Sequence, residues 1–182
     1  MTPHATTKKL TLEALGKRRV ELDFSAGRVS SDGGGIVLRE VDLCIRLTER
    51  LAECFTDHRN QDLITHELDD MLAQRLNLIA LGYEDLNDHE RLNRDPLLAA
   101  LAGKVDVQGR KQSRRRDDGK ALASPSTLGR LERTKETATK ETRYEKIVCD
   151  FDALGRVFVD VFVESFEHEP GVVVLDLDPS DI

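Results

Sequence analysis

The sequence predicts a mainly α-helical chain with a short β-hairpin near its N-terminus and one apolar strand at its C-terminal end. Three observations predict it. Apolar residues recur at helical spacing across much of residues 36–103 and 124–166. Val20, Leu22 and Phe24 alternate with charged or polar neighbours, the period of a strand. The run Val172-Val173-Val174-Leu175-Asp176-Leu177-Asp178 is β-branched and apolar until it ends in acids, which reads as a strand buried on both faces.

In chain order, residues 1–17 are polar and expected to be loosely held. The strand at Val20–Phe24 turns at Ser25-Ala26-Gly27, and Arg28–Ser30 is expected to complete the hairpin. Ser31-Asp32-Gly33-Gly34-Gly35 lacks the Lys and Ser/Thr of a phosphate-cradling loop, so a cap by Asp32 or Ser31 on the next helix explains it better. A first helix is expected from Ile36 to about Phe55, with Leu43, Leu47 and Leu51 on its apolar face. A second runs from about Asp62 to Leu81, carrying Leu68, Met71, Leu72, Leu76 and Ile79, and Gly82 ends it. A third starts at Asp95-Pro96, with Asp95 as N-cap and Pro96 in the first turn, and ends near Gly103. These three suffice for a small bundle.

Residues 104–123 read as a basic linker, and Ser124-Pro125 opens a helix to about Lys140. Leu154–Phe166 fits either period, with helix preferred because Leu154, Phe158, Val161 and Phe162 share a face opposite Asp160 and Glu164. The expected organisation is thus 1–17 flexible, 18–103 hairpin and bundle, 104–123 linker, 124–169 helical, and 170–182 the start of a further domain.

Composition narrows the function. Charged residues make up 34% of the 182 and aromatics 4%, with no Trp, which argues against an extended base-stacking platform. The formal net charge of -7 means that any nucleic-acid contact must come from a local basic patch on an acidic body. Cys44, Cys54 and Cys149 form no metal-ligand spacing and read as idle thiols. No segment resembles a signal peptide or approaches the roughly 20 apolar residues of a membrane span, so a soluble cytoplasmic chain is expected.

Asp176 and Asp178 are two apart, so on a strand both carboxylates project from one face. Carboxylates on an apolar strand are costly to bury unless a cation meets them, and Mg²⁺ prefers such oxygen ligands. A turn or a helix cap accounts for acids at a strand end as well. Gly82–Arg91 is dense in metal-capable groups but lacks the calcium-loop pattern, and capping explains it; His66-Glu67-Leu68-Asp69-Asp70 lacks a second His. For phosphate contact the candidates are Arg110, Lys111, Arg114, Arg115 and Arg116, followed by Arg130 and Arg133 on the next helix; a solvated linker and a solvated helix would look similar.

Several segments together resemble the insertion-sequence transposases with a DDE catalytic domain of the group 1 type. They are Val29–Gly35 leading into Val37-Leu38-Arg39-Glu40, Asp57-His58-Arg59, His66 through Arg75, GYEDLNDHERLNRDP at 82–96, Ala121–Leu128, and Leu175-Asp176-Leu177-Asp178, in order across residues 20–182. The resemblance implies a DNA transposase acting on transposon ends. Its helical N-terminal domain would be followed by the first strand of an RNase H-like α/β catalytic domain. In that core an Asp of the first strand joins a later Asp and a later Glu to hold two metal ions, implying Mg²⁺ as cofactor. Matching the family's Asp-Ala-Thr to Asp178-Pro179-Ser180 selects Asp178 as the first acid, with Asp176 the second choice; Pro179-Ser180 departs from the pattern.

With the chain ending at Ile182, the expectation is an N-terminal fragment of a bacterial mobile-element enzyme whose RNase H-like domain is truncated. Alone it would be inactive, and it would form an oligomer with the intact transposase. The competing reading is a non-catalytic DNA-binding module or regulator of transposition. A generic helical interaction protein fits the composition but leaves the motif order unexplained.

Overall fold

The computed structural model describes residues 9–22, 32–111 and 117–175. Strands β1 (Leu10–Leu15) and β2 (Arg18–Leu22) form an antiparallel hairpin with Leu12 opposite Val20. Helices α1 (Ile36–Ile45) and α2 (Leu47–Ala52) lead to β3 (Phe55–Asp57). Then come α3 (Leu68–Ala80), α4 (His89–Leu92), α5 (Pro96–Leu101) and α6 (Pro125–Arg133). Strand β4 (Ile147–Cys149) returns to pair antiparallel with β3, and α7 (Phe151–Glu164) follows. The protein is mainly helical with two small antiparallel sheets, as the helical periodicity predicts.

Helix α3 joins two clusters of buried side chains. Ala73 and Leu78 meet Ile36, Leu98, Leu101 and Leu122, covered by Leu12, Val20 and Leu22 of the hairpin. Met71 and Leu72 meet Leu51, Leu128, Leu131 and Ile147. Each fully buried Leu or Ile contributes about 1.5–3 kcal/mol, so the helices are held by these contacts more than by intrinsic propensity. Between the clusters runs Ala121-Leu122-Ala123, all buried. The C-terminal part of the segment read as a linker is therefore core.

The hairpin exists, but its partner strand is not the expected one. Arg18–Leu22 pairs backwards with Leu10–Leu15 through the turn at Gly16-Lys17, so residues read as loose are ordered. Tertiary contact explains this. Glu40 of α1 accepts the Glu13 N–H at 3.1 Å, and the buried Arg39 donates to the Glu13 carbonyl at 3.2 Å. The expected second strand at Arg28–Ser30 lies outside the described residues.

The first helix breaks where one continuous helix to Phe55 was expected. Asp42 accepts both the backbone N–H and the hydroxyl of Thr48 at 2.7 Å, and Arg46 takes the left-handed conformation at φ 55°. A non-glycine residue there costs on the order of 1 kcal/mol, which the two bonds to Asp42 offset. Gly35 permits the tight entry to α1, since a Cβ there would sit 2.9 Å from a Leu101 methyl. Asp32 does not cap with its side chain; it accepts the Tyr83 hydroxyl at 3.0 Å.

The second helix begins at Leu68 and not at Asp62, because residues Gln61–Leu63 form a separate 3₁₀ turn capped by Asn60. Asp95 caps α5 as expected, accepting from Leu97 and Leu98. Helix α6 stops at Arg133, short of Lys140, where Thr134 turns extended and its hydroxyl donates to the Arg130 carbonyl. Leu154–Phe166 is largely helical, started by Asp150 accepting from Ala153.

The C-terminal strand is not realised in its described part. Residues 172–175 belong to no strand, and Val172, Val174 and Leu175 are exposed, because no edge among the described residues pairs with them. No helix among the described residues is long and apolar enough to cross a membrane.

Candidate nucleic-acid interface

A polar cleft of about 280 Å³ opens where the loop after β3 faces the start of α6. Arg59, His66, Lys120, Ser124, Thr127 and Arg130 line it, along with Asp117. Local structure fixes each side. Arg59 is clamped by Asp57 through bonds of 2.6–2.9 Å and donates to the His66 carbonyl at 3.0 Å. Burial works to raise the Asp57 carboxyl, but the hydrogen bonds and charge of Arg59 outweigh it and hold the group below its ordinary value.

His66 is half-buried, and its Nδ1 is enclosed without a hydrogen-bond partner in the described structure. Burial, reinforced by the Lys104 charge, pushes its pKa down to about 4, against the opposing effect of Asp70. The ring is neutral at pH 7. On the opposite wall Ser124 is the N-cap residue of α6, its hydroxyl 3.1 Å from those of Ser126 and Thr127. Hydroxyls at a helix N-terminus, beside Lys120 and Arg130, make a surroundings suited to an anionic oxygen.

The described start of the basic run, Arg110 and Lys111, lies on a pinned stem that adjoins Lys120 of this cleft. Gly119 donates its N–H to the Gly109 carbonyl at 3.0 Å, and Lys111 donates its N–H to Asp106 at 2.7 Å. Gly109 has φ 62°, and a Cβ there would lie 2.6–2.7 Å from the backbone of Lys120 and Ala121. Gly109→Ala is expected to lower the unfolding free energy by about 2 kcal/mol, measured by urea titration, by combining left-handed strain with that clash. An unchanged midpoint would show that the stem relaxes freely.

Of the residues expected to touch phosphate, Arg110 and Lys111 are exposed at the stem and Arg130 lines the cleft. Arg133 is turned back, donating to the Gly129 carbonyl at 3.1 Å. Arg114, Arg115 and Arg116 lie outside the described residues, as do Asp176 and Asp178. Sequence reasoning did not single out Arg59, His66, Lys120 or Ser124 as one site. The quoted segments Asp57-His58-Arg59, His66 through Arg75 and Ala121–Leu128 contain three of them, but nothing local says that they face each other.

Among the described residues no group of three His, Cys, Asp or Glu side chains could hold a metal ion. The acid-rich segment 82–96 is architectural instead. Asp85 accepts the Asn87 N–H at 2.8 Å, and the buried His89 lies 2.9 Å from the Gln74 amide nitrogen. The Asn93 carbonyl accepts the Leu122 N–H at 3.1 Å. Asp70 is paired with Lys104, and His66 precedes α3 and does not share its face. The cysteines are free, and burial pushes the Cys54 and Cys149 thiols up, away from reactivity.

No curated protein and no solved structure matched this chain. A family model described as the transposase DDE domain, group 1, matches residues 12–182, which takes in most of the hairpin, both core clusters, the cleft and the C-terminal acids. The chain belongs to the group 1 transposase DDE-domain family.

Proposed function

We propose that this chain is the DNA-engaging part of a transposase acting on transposon ends in the cytoplasm, with the α6 cleft and the adjacent basic run gripping the phosphate backbone. The observation that carries the reading is the convergence of Lys120, Arg130 and the α6 N-terminus on one cleft beside Arg110 and Lys111. On a body of net charge -7 such a local patch is what phosphate contact requires. In this organisation residues 18–103 form the supporting hairpin and bundle, 104–123 carry the basic run, 124–169 hold α6, β4 and α7, and 170–182 begin an RNase H-like catalytic domain.

Asp178, with Asp176 as second choice, is the proposed first carboxylate of the catalytic set. Carboxylate oxygens suit Mg²⁺, which supplies charge stabilisation to the oxygens exchanged in strand cleavage and transfer. In an intact transposase that chemistry also needs a later Asp and a later Glu. In such an intact parent enzyme, Asp178→Asn should abolish strand transfer while leaving end binding in place. Full activity in that variant would reject the assignment.

The DNA contact is tested by mobility shift on duplexes carrying element ends, at low and physiological salt. Binding that weakens with salt is expected, and Lys120→Ala and Arg130→Ala should each reduce the salt slope by about 1. Absence of binding at both salts would reject the reading.

A further inference from the structure

The main chain at Ala123 dictates which nitrogen of the buried His89 ring carries the proton. The Ala123 N–H donates to Gln74 Oε1 at 2.8 Å, and the Ala123 carbonyl accepts from Gln74 Nε2 at 3.0 Å. An N–H only donates and a carbonyl only accepts, so the Gln74 amide has one orientation. Its second amide hydrogen is left for His89 Nδ1, 2.9 Å away. Nδ1 therefore accepts, and the proton of the neutral ring sits on Nε2. Burial lowers the His89 pKa and keeps the ring in that neutral form.

The Nε2–H in turn finds no acceptor among the described residues. Four buried side-chain atoms there lack a hydrogen-bond partner, and three of them are His89 Nε2, Asn93 Nδ2 and Asn93 Oδ1. Both residues are 0% exposed. They stand four apart, and the Asn93 N–H bonds the His89 carbonyl at 3.1 Å, so they lie one turn apart on the same side of α4. Each buried orphan costs about 1–3 kcal/mol, and native interiors carry few.

From this concentration we propose that His89 Nε2–H and the Asn93 amide hold an internal water molecule. The ligand has to accept from the ring and exchange hydrogen bonds with the amide, which water does. A metal ion does not suit the site, because a protonated Nε2 has no lone pair to give it. The water closes a ring of bonds. It runs from Leu122 to the Asn93 carbonyl, through the water and His89 to Gln74, and back to Ala123. Leu122 and Ala123 immediately precede the Ser124 N-cap, so this ring clasps the approach to α6. The inference stands whether or not α6 contacts DNA.

Two measurements on the full chain test it. Long-range proton–nitrogen NMR correlation of the histidine rings should show His89 protonated on Nε2 and bare on Nδ1. A ring protonated on Nδ1 overturns the tautomer and the site with it. A crystal structure should show an isolated water about 2.7–3.2 Å from Nε2 and from the Asn93 amide. An empty site, a direct bond from Nε2 to a protein acceptor, or a metal ion there overturns the proposal. In Asn93→Leu the water should be lost while the tautomer stays, because Gln74 sets it. Both wild-type readings decide the matter even where that variant does not fold.

Discussion

Replacing Gln74 by alanine is expected to lower the unfolding free energy by about 3–5 kcal/mol, the largest effect of any single substitution considered. Gln74 is 1% exposed, and its amide works in both directions. The oxygen accepts the Ala123 N–H at 2.8 Å, and the nitrogen donates to the Ala123 carbonyl at 3.0 Å while lying 2.9 Å from His89 Nδ1. Truncation removes packing volume and leaves two backbone groups and a ring nitrogen unsatisfied where water has no ready access. A domain stable by roughly 5–15 kcal/mol would lose a large part of its margin. Urea denaturation of wild type and Gln74→Ala measures it, and a loss below about 1 kcal/mol would mean that the site collapses or hydrates without penalty. Ala123 immediately precedes the α6 N-cap, so DNA affinity should fall together with stability.

The same residues show what the sequence could and could not reveal. Asp95-Pro96, Gly82 and Asp150 act within their own turns, and their effects follow from local chemistry that one chain displays. The apolar spacing of Leu68, Met71, Leu72 and Leu76 likewise gave α3 and most of its buried face, although Leu78 is buried there and the expected Ile79 is exposed. Other features depend on distant partners. Phe55–Asp57 becomes a strand only because Ile147–Cys149 arrives beside it, and no local period announces that. Leu10–Leu15 is ordered by Arg39 and Glu40, far along the chain.

The segment 82–96 carried the resemblance and also invited a metal reading. Its acids and His89 instead serve caps and a buried contact with Gln74, which only the placement of α3 decides. Val172–Leu175 has every local mark of a strand, yet a strand is a pairwise object, and the described residues supply no second edge. The cleft was legible in pieces. Arg130 stood out by charge, whereas His66 and Arg59 needed the fold to bring them opposite Ser124.

Stability is expected to fall by up to about 3 kcal/mol as pH drops from 6.5 to 4, with His66 the principal cause. The sign follows from where the proton binds. The folded pKa is depressed, so between 6.5 and 4 the unfolded chain takes up a proton on His66 that the folded chain refuses. The stabilisation is therefore complete above the unfolded pKa and is lost as pH falls through the window. His89, lowered chiefly by burial, acts in the same direction. Asp57, held below the ordinary carboxylate value, adds its loss only below about pH 4, so the two regimes separate. His66→Gln should flatten the profile between 6.5 and 4 in urea titrations at stepped pH; an equally steep variant would transfer the effect to His89. The cleft gives the same proton a functional sign. A phosphate held beside His66 favours the charged ring, so bound duplex DNA should raise the His66 pKa. By linkage, DNA affinity at the cleft should strengthen as pH falls through this window, and His66→Gln should abolish that gain. The unbound protein thus becomes less stable over the pH range in which its grip on phosphate tightens, and the two trends measured side by side distinguish a phosphate cleft from a polar hollow with no ligand.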